Sequence, residues 1–185
     1  MLVELSAAVE SRDPSTRGHA ARVTALADAV ARRLVWSDER IASLRIGGTL
    51  HDVGKVVVPL AVLGKRGPLT DAELAQIRVH PSAGARVVAA IESARGALPC
   101  VLHHHERWDG RGYPHRLCGE EIPVEARLLA IADAFDAMTT NRRYRRAVPP
   151  AEALAELDRC AGSQFDPELT RVFAEVWSAT QRAAG

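Results

Sequence analysis

The sequence lacks an excess of either charge: 24 lysines and arginines face 23 aspartates and glutamates, for a formal net charge of +1. So balanced a chain is not a polyelectrolyte partner for nucleic acid polymers, and any anion binding must come from a local cluster. Cysteine is scarce. Cys100, Cys118 and Cys160 show no CxxC spacing, and their odd number argues against a closed disulfide framework. Three reduced thiols are expected, as in a cytoplasmic protein. No apolar run approaches the roughly 18 residues of a membrane span. The opening MLVELSAAVESRD carries acidic residues and no basic segment, which is not the pattern of a signal peptide. A cytoplasmic location with no membrane partner is therefore expected. Convincing strand patterns, internal repeats and low-complexity tracts are also missing. With 47% hydrophobic and 25% charged residues in a 185-residue chain, one soluble globular domain, 1–185, is the expectation.

What is present is helical periodicity. Val23, Leu26, Ala27, Val30 and Leu34 fall on one stripe of a helix over Ala20–Leu34. Ser37 or Asp38 suits the cap of a helix running through Leu50. Thr70-Asp71-Ala72-Glu73 has the form of a capping box opening a helix to about Val79. Pro81 suits the first turn of another helix and Gly96 its end. Further helices are expected leading into His105, over Ile122–Met138, over Ala151–Cys160 and from Pro167 onward. Gly64–Pro68 reads as a short turn, and Val56–Val58 as at most a short extended piece. Arg107–Pro123 reads as a long irregular loop with three glycines and two prolines. A loop of that length inside a compact helical domain is usually functional or disordered. The fold class is all-α.

Seven histidines carry the chemical signal. His19 or His80 taken alone would most simply be a hydrogen-bonded core residue. That reading weakens beside His51-Asp52, the triplet His103-His104-His105, and two carboxylates, Asp133 and Asp136, spaced to share one helical face. Mixed imidazole and carboxylate donors suit borderline divalent cations, chiefly iron, manganese or zinc. Without closely spaced cysteines a structural zinc site is not expected. Lys55 follows His51 by one helical turn if the helix persists, and could place its ammonium on a phosphate oxygen. The run Arg142 to Arg146 is the strongest local basic patch, and guanidinium forks match phosphate well.

These residues fall into strings that resemble the HD-GYP branch of the HD phosphohydrolase superfamily. The strings are ESRDPSTRGHAARV, LHDVGK, His80, HHERWDGRGYP, GEEIP, ADAFDAMTTNRRYRR and QFDP, in the family's order over nearly the whole chain. The resemblance implies an HD-domain helical bundle with an irregular GYP loop. It implies metal ligands at His19, His51, Asp52, His80, His104, His105 and Asp133, with His103 one place outside the motif. Relatives with a third metal carry a glutamate where this chain has Ser15, so two divalent metal ions are expected, iron or manganese. Arg142 and Arg145 match phosphate-contacting positions, while Arg143 replaces the usual proline and Arg116 a common glycine. Tyr113 could face a guanine, bond a phosphate or anchor the loop. Asp136 reads as an orienting acceptor or a substrate contact.

The reaction so implied is hydrolysis of cyclic di-GMP to pGpG, with GMP as a further product. Asp52 would bridge two cations, hydroxide formed on them would attack phosphorus, and Lys55 would hold the phosphate. Other readings stay open: another cyclic dinucleotide or nucleotide as substrate, or a non-catalytic module that binds cyclic di-GMP or a diguanylate cyclase (GGDEF) domain. A GGDEF or sensor protein is the expected regulatory partner. The oligomeric state stays open, with a homodimer among the options.

Overall fold

A computed structural model describes residues 2–12, 16–141 and 146–184. Ten α-helices are described: α1 Leu2–Glu10, α2 His19–Arg33, α3 Asp38–Leu50, α4 Leu60–Leu63, α5 Asp71–Arg78, α6 His80–Ala89, α7 Leu98–His103, α8 Val124–Thr139, α9 Pro150–Arg159 and α10 Pro167–Ala184. The described residues form no β-strand, only two isolated bridges, Asp109 with Cys118 and Ala161 with Phe165. None of the described helices is long and apolar enough to cross a membrane.

Local chemistry explains most boundaries. The Ser37 side chain accepts from the Arg40 amide and caps α3. Thr70 and Glu73 form the reciprocal capping box of α5. Asp166 accepts from the amides of Glu168 and Leu169 and starts α10. Leu34 closes α2, after which the Trp36 amide reaches Ala31 O and the Val35 amide reaches Arg32 O. This is the Schellman arrangement, which needs a left-handed residue and normally takes glycine. Here Val35 takes it, at φ 55°.

Three expectations are corrected. The helix opened by Pro81 stops at Ala89, because Ile91 is extended, and Gly96 lies in a separate 3₁₀ turn, Glu92–Ala97. That turn buries Ala94 and Ala97. The helix expected from Ile122 starts at Val124, since Ile122 and Pro123 are both extended. Val53–Val57 is a 3₁₀ turn, and only Val58 of the expected extended piece is extended.

Two hydrophobic clusters meet along α3. One packs Val23, Ala27, Leu44, Leu128, Ile131, Phe135 and Phe173 from α2, α3, α8 and α10. Phe135 contacts Phe173 edge-on and Trp177 at a tilt, with centroid distances of 5.1 and 4.7 Å, and such ring pairs add to simple area burial. The other packs Val9, Leu50, Val53, Val88, Ala94 and Val101 around the end of α3. Each fully buried aliphatic or aromatic side chain contributes about 1.5–3 kcal/mol to such clusters. His51 and Asp52 emerge between Leu50 and Val53 of this second cluster.

Candidate metal centre

His19, His51, His80 and His104 are all buried. His19 is the first residue of α2, whose N-cap, Gly18, has no capping side chain of its own. Glu10 at the end of α1 supplies the cap, accepting from the amides of Gly18 (2.8 Å) and Ala20 (3.0 Å). His51 and Asp52 leave α3 as the chain tightens into the 3₁₀ turn. Gly54 makes this turn fit against α6: a Cβ there would lie 1.9 Å from His80 O and 2.5 Å from the Gly84 amide.

The hydrogen bonds fix how each ring faces. His51 Nδ1 is 2.8 Å from Gly48 O, His80 Nδ1 2.7 Å from Ile77 O, and His104 Nδ1 3.0 Å from Val101 O. A carbonyl only accepts, so each Nδ1 carries the proton, and in a neutral ring each Nε2 then presents a lone pair. Two of those lone pairs confront each other, His80 Nε2 and His104 Nε2 at 3.3 Å. His51 Nε2 is buried with no hydrogen-bond partner. Buried acceptors that face one another without a shared proton are costly, and a cation satisfies them together.

Asp52 connects two donor sets. Asp52, His80, His104 and His105 offer ligand atoms within 4.8 Å of one another, and so do His19, His51 and Asp52. Asp52 Oδ1 lies 3.4 Å from His80 Nε2, and Oδ2 lies 3.5 Å from His51 Nε2. Each carboxylate oxygen thus faces a different set. Asp133 joins the second set through His19 Nε2 at 3.1 Å, a spacing at which both can bind one cation or share a proton. The residues present therefore fit a pair of divalent cations.

Electrostatics agree with neutral ligands on one side. Burial pushes the pKa of His80 down to about 4 and of His105 down to about 3, and holds that of His104 well below the usual range. Burial opposes a charge on His19 too, but hydrogen bonds to Asp133 and Asp136 outweigh it and raise its pKa to about 9. Burial also works against ionising Asp52, yet Lys55 and the surrounding imidazoles hold its carboxyl well below its ordinary range.

The other expected residues fall as follows. Lys55 Nζ sits 2.6 Å from Asp52 Oδ2. The α-helical turn that would align Lys55 with His51 does not persist, and a 3₁₀ turn instead eclipses residues three apart, here Asp52 and Lys55. Tyr113 stacks on His105 at 4.9 Å, with the Arg78 guanidinium 5.6 Å over the tyrosine ring. Asp136 is buried and turned inward: it accepts from His19 Nδ1 (2.7 Å) and from Arg22 Nε and Nη2 (2.5 and 3.1 Å). Its carboxylate is thus engaged inside the protein. Ser15, Arg142, Arg143 and Arg145 lie outside the described residues. Arg116 sits at φ 57°, a left-handed conformation that accounts for glycine being common there.

Sequence reasoning gave no role to Glu106, Arg22, Arg12 or Arg78. The buried Glu106 accepts from the amides of His115 (2.7 Å) and Leu117 (3.2 Å) and so shapes the GYP loop from inside. Gly112 lets the loop lie against its own start, since a Cβ there would be 2.4 Å from the Arg107 amide. Arg12 ties the end of α1 to Val56 O and Val58 O of the 3₁₀ segment. Glu106, Arg12 and Arg22 each lie inside one of the strings quoted above, whereas Arg78 lies in none.

A family profile described as "HD domain" matches residues 4–169. The chain belongs to the HD domain family. Within the family it is of the HD-GYP type. It is 40% identical over 169 residues to the cyclic di-GMP phosphodiesterase response regulator RpfG of Xanthomonas campestris pv. campestris, covering 90% of this chain and 44% of that protein. It is 39% identical over 169 residues to the cyclic di-GMP phosphodiesterase PA4108 of Pseudomonas aeruginosa, covering 91% and 41%. This HD-GYP chain therefore spans less than half the length of these curated relatives. Its fold is similar to the crystal structure of a cyclic GMP-AMP-specific phosphodiesterase of V. cholerae (V-cGAP3), with a TM-score of 0.74 at 19% identity over 96% of this chain and 48% of that one.

Proposed function

We propose that this HD-GYP chain is a metal-dependent phosphodiesterase that hydrolyses a cyclic dinucleotide, cyclic di-GMP first among them, to the linear dinucleotide pGpG. The observation that carries the proposal is Asp52, whose two oxygens face two separate histidine sets. His51, His19, Asp133 and Asp52 would hold one divalent cation, and His80, His104, His105 and Asp52 a second, with iron or manganese suited to these donors. When bound, such a pair supplies Lewis acidity, lowering the pKa of a water and neutralising charge on a phosphoryl group.

The chain's own residues do the rest. The carbonyls of Gly48, Ile77 and Val101 hold protons on the Nδ1 atoms of His51, His80 and His104, which keeps the Nε2 lone pairs turned inward. Asp136 does the same for His19 and makes it a stronger donor. Lys55, about a quarter exposed, stands on Asp52 Oδ2, the oxygen that also faces His51, where its ammonium can meet a phosphate oxygen. Tyr113 and Arg78 form a flat, cationic wall beside His105 that suits a base or a phosphate. Arg142 and Arg145 are further candidates for phosphate contact, through the family positions they match in the sequence. Cyclic di-GMP as substrate is supported by the relatives RpfG and PA4108, each named a phosphodiesterase of that nucleotide.

The test is turnover of cyclic di-GMP, cyclic GMP-AMP and cyclic di-AMP by anaerobically purified protein, with products separated by chromatography. Fastest conversion of cyclic di-GMP to pGpG is expected. Preference for another cyclic dinucleotide would reassign the substrate, and no turnover with full metal content would leave only binding.

A further inference from the structure

A third group of donors lies outside the centre described above. His103 ends α7, Glu106 follows it, and His115 comes just after Tyr113-Pro114 in the GYP loop. One ligand atom from each lies within 4.8 Å of the others. The Glu106 side chain is fully buried, and among the described residues its only ion-pair contact is His103 Nδ1 at 3.9 Å. A buried carboxylate without a fixed cation is an expensive arrangement. Its oxygens each accept one amide, leaving lone-pair capacity on the side of the histidines. His103 Nδ1 is itself buried with no hydrogen-bond partner. The His103 and His115 rings stand 5.2 Å apart and His115 is exposed, so the group is open to solvent on one side.

We infer that His103, Glu106 and His115 form a second, separate binding site for a divalent transition ion such as zinc. Two imidazoles and a carboxylate are a donor set that zinc accepts, with water completing a tetrahedron. Bonds of about 2.0–2.1 Å require donors roughly 3.3–3.4 Å apart, so modest side-chain closure brings the three onto one ion. The ion would neutralise Glu106 and satisfy His103 Nδ1 in one step. It would also fasten the loop after Tyr113 to the end of α7, next to His104 and His105. The site acts as a clasp on the loop that borders the main centre, and its existence does not depend on the reaction proposed for that centre.

The test is equilibrium dialysis of the metal-loaded protein against micromolar zinc, with total bound metal counted by elemental analysis in wild type and in His115→Asn. His115 is exposed, so this change spares the fold. Wild type is expected to hold about one more ion per chain than the variant. The same comparison in an Asp52→Ala background, where the main centre is impaired, is expected to give the same difference. Equal metal content in wild type and His115→Asn would overturn the inference, as would a difference that vanishes in the Asp52→Ala background.

Discussion

Asp136→Asn is the most discriminating change near the centre, because it keeps shape and volume while removing a charge that touches one side only. Asp136 accepts from His19 Nδ1 and from two nitrogens of Arg22, and it contacts none of His80, His104 or His105 in the described hydrogen bonds. The asparagine retains one acceptor oxygen, for which His19 and Arg22 then compete. A hydrogen bond to a charged group contributes about 1.5–3 kcal/mol, roughly 12- to 140-fold in affinity at about 1.4 kcal/mol per factor of ten. Losses of about 10–100-fold are typical when the outer partner of a ligating histidine is changed. The Arg22 side chain is 42% exposed and can turn to water, so the fold should survive. Chelator titration of the metal-loaded variant, followed by elemental analysis, should show one ion lost at 10- to 100-fold lower chelator than in wild type, with the other retained. Parallel loss of both ions, or wild-type retention of both, would refute the assignment of His19 to one side of a bridged pair.

Other consequences follow from the same geometry. Val35→Gly should stabilise the protein by about 0.5–1 kcal/mol in urea denaturation: relief of a left-handed L-residue, about 1–2 kcal/mol, exceeds the added chain entropy of glycine, and Val35 is 88% exposed, so little burial is lost. Gly54→Ala should lower the melting temperature and metal content together, since its Cβ meets backbone on α6 that cannot rotate aside, an overpacking cost of about 1–3 kcal/mol or more. Stability of the chelator-treated protein should peak near neutral pH. Below about 6.5 the unfolded chain takes up protons that His80 and His105 refuse until about 4 and 3, so stability falls with pH. Between about 6.5 and about 9 the folded chain keeps a proton on His19 that the unfolded chain has lost, so stability falls as pH rises. A melting temperature that climbs steadily from pH 5 to 9 would contradict this.

Much of the fold was legible because its signals are local. Ser37, Thr70 with Glu73, and Pro167 each mark a helix start within a few residues of the groups they serve. The donor residues were legible for a different reason: imidazole and carboxylate in these strings have few other uses. What escaped depends on contacts between distant segments. Glu10 caps α2 from the preceding helix, and Arg22 reaches Asp136 across the bundle. Neither partner leaves a mark on its neighbours in sequence. Val35 shows the opposite failure, a backbone position whose usual residue is replaced. Lys55 turned toward Asp52 because the helix tightened after Leu50, and that tightening follows from the packing of Gly54 on α6. The shared role of Asp52 could be proposed from sequence only through the family resemblance. In the structure its two oxygens face different histidines, at 3.5 and 3.4 Å, and this supports the proposed role.

The central claim is that Asp52 bridges two cations that serve hydrolysis of a cyclic dinucleotide. Its most direct test is to count metals and follow cyclic di-GMP turnover in wild type and Asp52→Ala purified side by side without oxygen. Two ions per chain and pGpG formation are expected in wild type, with turnover abolished and metal content sharply reduced in the variant, because both donor sets lose their common ligand. Wild-type metal content and wild-type turnover in Asp52→Ala would contradict the account.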